Sequence, residues 1–226
     1  MSRTIPFETD HTAVELRLLE RALPADGQAT VLEAGCGRTT RLVAVRDRIG
    51  ELVGIDVDVE AGHENAALDR FVEGDLCEPL PFDDAGFDLV YANFVVEHLD
   101  RPSAAFAEWH RVLQPGGHLL LVTSNRASPV LRAAELLPQS TRVVIKQRGA
   151  GAREDDVFPA VYRANTPRRL REQLDAAGFA PVSVLPVATL DRYAGSRRAP
   201  AAILRAGEHA LPPWRRSTIV GLWQVR

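Results

Sequence analysis

Short apolar runs and stretches of helical spacing take turns along this chain, and that alternation narrows the possible folds more than any other feature. The runs "ATVLEAG" (29–35), "ELVGID" (51–56), "FVEGD" (71–75), "FDLVYAN" (87–93) and "HLLLVTS" (118–124) read as strands. Between them "TTRLVAVRDRI" (39–49), "EAGHENAALDR" (60–70) and "SAAFAEWHRVLQ" (103–114) read as helices, and "PGG" (115–117) as a turn. "HTAVELRLLERAL" (11–23) precedes them as an amphipathic helix. "TPRRLREQLDAAG" (166–178) comes after them as a helix with Thr166 at its N-cap, Pro167 at the first helical position and Gly178 as its stop. A strand region "FAPVSVLPVA" (179–188), a helix in 199–211 and a last strand "STIVGLWQV" close the chain. Strand–helix alternation at this spacing argues for a parallel α/β sheet with helices on both faces. The 226 residues, 46% hydrophobic and 25% charged, suit one domain spanning 1–226.

Ligands of such sheets sit beyond the carboxyl ends of the strands. The residues at and just past each strand end therefore matter most. The first strand leads into Glu33-Ala-Gly35-Cys36-Gly37, the second into Asp56-Val57-Asp58, the third into Asp75-Leu76 and the fourth into Asn93-Phe94. Gly35 and Gly37 permit a tight turn and a close approach of backbone to ligand. A carboxylate about 20 residues beyond such a loop accepts from ribose hydroxyls in dinucleotide-binding proteins, and Asp56 holds that place. Asp75 is placed to accept from an exocyclic adenine amine. Thr40 stands where the dinucleotide fingerprint needs its third glycine, and the Glu33 charge would repel a pyrophosphate. Both argue against NAD and for S-adenosylmethionine, which carries an ammonium, a sulfonium, a ribose and an adenine but no phosphate. A single strand-end acid is most simply a helix cap or turn former; three in register with the glycine loop point to a ligand.

The stretches "VLEAGCG", "VGIDVD", "EGDLCEPLPFDDAGFDLVYANFVVEHL" and "RVLQPGGHLLLV" resemble the class I S-adenosylmethionine-dependent methyltransferases of the small-molecule, type 11 kind, over roughly residues 28 to 125. The resemblance implies a Rossmann-like, seven-stranded, mostly parallel sheet with a reversed last strand. It places Glu33 and the backbone of Gly35, Cys36 and Gly37 at the methionine end. Asp56, with Val57 beside it, goes to the ribose, Asp75 and the Leu76 amide to adenine, and Asn93 beside the methionine moiety facing the acceptor. Thr39 departs from the family, which often has a third glycine there.

Chemistry after the fourth strand separates the subclasses. "NFVV" lacks the prolines of the amino-methylating N-P-P-Y pattern. Cys36 and Cys77 lie in the cofactor loops and read as small buried hydrophobes, not as nucleophiles. Asn93 and Ser124-Asn125 replace the carboxylate ligands of metal-dependent catechol-type enzymes. Of the E-x-x-E-H pattern of ubiquinone-biosynthesis O-methyltransferases only Glu97-His98 remains, with Phe94 in the first acid's place; no metal is expected. His98, beyond the fourth strand on the acceptor side, is the candidate base if the acceptor is a hydroxyl. The other histidines show no ligand spacing.

The long segment 124–165 reads as an inserted lid or acceptor-binding segment. Its apolar-basic pattern admits a solvated helix face, a lid contacting an anionic acceptor, or a contact with an anionic membrane surface. Phe94, Arg142, Arg148 and Tyr162 are the candidate acceptor contacts. O-methylation of a small molecule is the favoured reaction; RNA methylation and non-catalytic cofactor binding are the alternatives. The formal net charge of -3 gives no general attraction to nucleic acid, and no nucleic-acid partner is expected. Two cysteines, no secretory pattern in "MSRTIPFETD" and no apolar run near ~20 residues suggest a cytoplasmic protein. Basic residues that are nearly all arginine, Lys146 being the one lysine, match a GC-rich bacterial genome.

Overall fold

The computed structural model describes residues 11–136, 159–190 and 198–226. Seven strands form one sheet in the order β3-β2-β1-β4-β5-β7-β6. They are β1 (Ala29–Ala34), β2 (Ile49–Asp56), β3 (Arg70–Glu73), β4 (Phe87–Asn93), β5 (Leu113–Ser124), β6 (Phe179–Val187) and β7 (Thr218–Val225). The pairs among β1 to β5 are parallel, and β7 runs antiparallel to both β5 and β6. The helices are α1 (His11–Ala22), α2 (Val59–Glu64), α3 (Pro102–Val112), α4 (Pro129–Glu135), α5 (Pro167–Ala176) and α6 (Arg198–His209).

Alternation within the strands builds two cores. Leu32, Val53, Val90 and Leu119 face one side of the sheet, where Phe106 and Trp109 of α3 and Leu170 and Leu174 of α5 cover them. Their neighbours Val31, Leu52, Leu89 and Leu120 face the other, against Val14, Leu18 and Leu19 of α1. Both faces are buried, so the central strands read as nearly continuous apolar runs. Thr166 caps α5 as expected, its hydroxyl accepting from the Arg169 amide at 3.3 Å.

Three local expectations are corrected. No α-helix spans 39–49: Leu42–Arg48 forms 3-10 turns with a kink at Val45. Strand β2 begins already at Ile49, opposite Ala29, two residues before the strand read at 51–56. Helix 60–70 shrinks to α2, because Asn65 leaves the helix and donates through its Nδ2 to the carbonyls of Cys36 and Gly37 at 3.1 and 3.2 Å. "PGG" lies inside the long strand β5, with Gly116 at φ +80° absorbing the bend.

Candidate functional site

Parallel pairing of β1, β2, β3 and β4 brings their carboxyl ends to one rim, so Glu33, Asp56, Asp75 and Asn93 converge. The loop after β1 is held from below. The Gly35 and Cys36 amides donate to the Ile55 carbonyl at 2.8 and 3.2 Å. Gly35 has φ +75°, and a Cβ there would collide with Val95 at 2.4 Å. Gly37 also has positive φ, but its missing Cβ faces nothing within 4 Å. One glycine is thus required by packing, while the other faces open space.

Asp56 ties loop and rim together. Its carboxylate accepts from the Gly37 amide at 2.8 Å and the Asp58 amide at 3.0 Å. Asp58 caps α2 by accepting from Ala61 at 2.9 Å. Val57 is 53% exposed beside them. Asp75 accepts from the Cys77 amide at 2.8 Å, and Leu76 is buried. Each of these acids thus also has a turn or capping task, and each carboxylate keeps further lone pairs for a ligand.

Glu33 differs in kind. It is 3% exposed, and burial pushes its carboxyl up to about 8, with the Asp56 and Glu15 charges adding and the Thr40 hydroxyl offsetting part. Its Oε2 has no hydrogen-bond partner, and neither does the buried Oδ1 of Asn93. Two orphaned acceptors at the ends of adjacent strands suit a cationic donor with several N–H groups, such as an α-ammonium. Cys36 is inert: burial pushes its thiol up to about 12.

Several contributors were not read from the sequence, and Glu97 was read only as the remnant of the E-x-x-E-H pattern. Glu15 of α1 is buried and accepts from the Tyr91 hydroxyl, and its other oxygen lies 3.7 Å from Arg41 Nη1. Burial and the Glu15 charge hold Tyr91 well above the ordinary phenol value. Glu97, 4% exposed, accepts from Thr123 Oγ1 at 2.7 Å and Ser124 Oγ at 2.8 Å, pinning the end of β4 to the end of β5. The neighbouring His98 turns elsewhere, its Nδ1 lying 2.8 Å from the Pro159 carbonyl. Glu97 and His98 therefore serve separate partners. Among the described residues no cluster of three or more His, Cys, Asp or Glu side chains has metal-binding geometry. A buried acid bonded to two hydroxyls more than 25 positions away carries no local sequence signal.

The acceptor side is partly described. Phe94 sits half-buried at φ +56°, its amide donating to the Val122 carbonyl at 2.7 Å. Tyr162, also at positive φ, donates its amide to the Glu97 carbonyl at 3.1 Å. Arg142 and Arg148 lie outside the described residues. No helix among the described residues is long and apolar enough to cross a membrane.

A doubly wound sheet with a glycine loop and strand-end acids on one rim defines a nucleoside-binding α/β protein. Comparison narrows this. The family described as "Methyltransferase domain" matches residues 32–121. A probable S-adenosylmethionine-dependent methyltransferase of Mycolicibacterium smegmatis is 30% identical over 225 residues, covering 96% of this chain and 77% of that protein. A malonyl-[acyl-carrier protein] O-methyltransferase of Enterobacter lignolyticus is 36% identical over 140 residues, covering 58% of this chain and 55% of the relative. The chain thus spans about half the length of such relatives. An S-adenosylmethionine-dependent methyltransferase structure from Mesorhizobium loti superposes with a TM-score of 0.60 at 18% identity, covering 93% of this chain and 97% of that one, which shows the shared fold. The chain belongs to the S-adenosylmethionine-dependent methyltransferases and has the class I fold, with S-adenosylmethionine as the family's cofactor.

Proposed function

We propose that this chain transfers the methyl group of S-adenosylmethionine to a small-molecule acceptor, with an oxygen as the favoured nucleophile. The observation that carries the reading is the pair of buried, unpartnered oxygens, Glu33 Oε2 and Asn93 Oδ1, beside an open glycine loop. Glu33 and Asn93 would take the cofactor's ammonium, Asp56 its ribose, and Asp75 with the Leu76 amide its adenine. Attack on the sulfonium methyl is an in-line displacement with an activated leaving group. The protein's main task is then to hold the acceptor in line at roughly 3–3.5 Å. The O-methyltransferase names among the relatives support oxygen as the nucleophile.

His98 is the proposed base. A carbonyl only accepts, so the bond to Pro159 puts the imidazole proton on Nδ1 and the proton-accepting lone pair on Nε2. The segment 124–165 is proposed as a lid. The Arg126 amide donates to the Asn165 carbonyl at 2.7 Å, so the chain leaves and returns at one point. Residues 137–158 of this segment lie outside the described residues.

Calorimetry tests the reading. S-adenosylhomocysteine is expected to bind and NAD not to. Asp56→Ala is expected to weaken that binding by roughly 1.5–3 kcal/mol, the cost of an unmet charged hydrogen bond. Equal binding of NAD, or an Asp56→Ala protein with unchanged affinity, removes this rim as the cofactor site.

A further inference from the structure

A second cleft, of about 540 Å³, opens beside the rim. It lies past the end of β5, between the start of α4, the first turn of α5 and the chain entering β7. Arg126, Arg132, Arg169 and Arg215 line it together with Tyr162 and Trp214, and no carboxylate is among its described lining residues. Arg132, Arg169 and Arg215 make no ion pair with any described residue. These three guanidinium groups around one cleft repel one another, and an anion placed among them removes that penalty.

Two of the arginines lie against aromatic rings: the Arg215 guanidinium carbon is 4.6 Å from the centre of a Trp214 ring, and that of Arg126 is 5.8 Å from the Tyr162 ring centre. The planar edge of a guanidinium pairs bidentately with phosphoryl oxygens. Beneath them Asn125 is fixed, donating to the carbonyls of Trp214 at 2.9 Å and Arg216 at 2.7 Å. The Thr166 cap places the positive end of the ten-residue α5 at the same cleft. A single carboxylate would leave most of this charge unmet, whereas a di- or trianion matches it.

We propose that this cleft binds a phosphoryl or diphosphoryl group carried by the methyl acceptor. The proposal rests on the methyl-transfer reading, which puts the acceptor on this side of the rim. The connection is short: Tyr162 lines the cleft, and its amide bonds to the carbonyl of Glu97, next to His98. The acceptor would thus be anchored by its anionic end here while its nucleophile reaches the methyl group near His98. Arg142 and Arg148 are not needed for this anchoring.

The test is calorimetry of the full chain with inorganic pyrophosphate at constant ionic strength, with S-adenosylhomocysteine titrated separately. Arg169→Gln with Arg215→Gln is expected to weaken pyrophosphate binding at least tenfold and to leave S-adenosylhomocysteine affinity within twofold. Arg70→Gln with Arg168→Gln removes the same charge outside the cleft and is expected to change neither. Equal losses in both double variants would mean diffuse attraction and overturn the proposal. So would a short single-stranded RNA that binds more tightly than pyrophosphate and is lost with the same cleft variants. Intact S-adenosylhomocysteine binding without pyrophosphate binding sinks the cleft alone. Failure of S-adenosylhomocysteine itself to bind sinks the methyltransferase reading instead.

Discussion

A carboxyl group buried beside other carboxylates holds on to its proton, and Glu33 is such a group. Its carboxyl is pushed up to about 8 from an ordinary value of 4.5. Between those values the folded chain holds a proton that the unfolded chain has released. Stability therefore falls as pH rises through this window, by at most about 1.4 kcal/mol per pH unit for one group. Glu33→Gln removes that slope. Chemical denaturation at pH 5, 6.5 and 8 should show the two proteins diverging with pH, the variant gaining relative to the parent. Parallel curves would mean that Glu33 is ionised throughout. On the proposed reading an arriving ammonium ejects the proton. Affinity for S-adenosylhomocysteine then rises with pH up to about 8, and calorimetry in two buffers of different ionisation enthalpy should record proton release. Glu33, Asp56 and Asp75 were legible because spacing after the strands exposes them. Glu15 was not, and Glu97 was seen only as the remnant of a pattern, since both acquire their meaning from partners distant in sequence. Arg126 and Arg132 were legible only as part of the basic pattern of 124–165, because the fold alone brings Arg169 and Arg215 beside them.

At the scale of elements, Glu208 of α6 is a buried carboxylate outside the rim that joins several segments. It is 1% exposed and accepts from the amides of Thr189 and Leu190, both at 2.9 Å, and from the Ser217 amide. One carboxylate thus closes the end of β6 and the approach to β7. Glu208→Gln turns an N–H group toward at least one of these donors, at a cost of about 1–3 kcal/mol. In a chain of this size each kcal/mol lowers Tm by roughly 2–4 °C. A shift below 1 °C would show that the site relaxes or that water replaces the acceptor. The strands were the easiest elements to read, because burial on both faces leaves long apolar runs. α5 was legible from its cap and stop residues. The crossover at 39–49 misled because Leu42 and Val45 keep helical spacing and are both buried, although the backbone there forms 3-10 turns with a kink at Val45. Periodicity reports which face is buried, and not which helical winding carries it.

At the scale of the whole molecule, the proposed cofactor rim belongs to no single element. Its parts lie at residues 33–37, 56–58, 75–77 and 93–98, and the sheet alone brings them together. Behind the rim stand two cores, one on each side of the same strands, so a ligand bridging these loops braces both layers at once. A ligand that binds only the folded chain stabilises it by about 2.7 kcal/mol at a concentration of 100 Kd. The distribution of that effect is the sharper test. Short-time hydrogen exchange reports local opening, which is concentrated in loops with few buried contacts. Saturating S-adenosylhomocysteine should slow exchange in all four rim segments together, including the Leu76 amide and the Gly35–Gly37 loop. The edge strand β6, across the sheet from the rim, should change little at these times. NAD at the same concentration should produce no pattern. Protection confined to one segment, or spread evenly over the sheet with β6 included, would show that the four strand ends do not share one ligand.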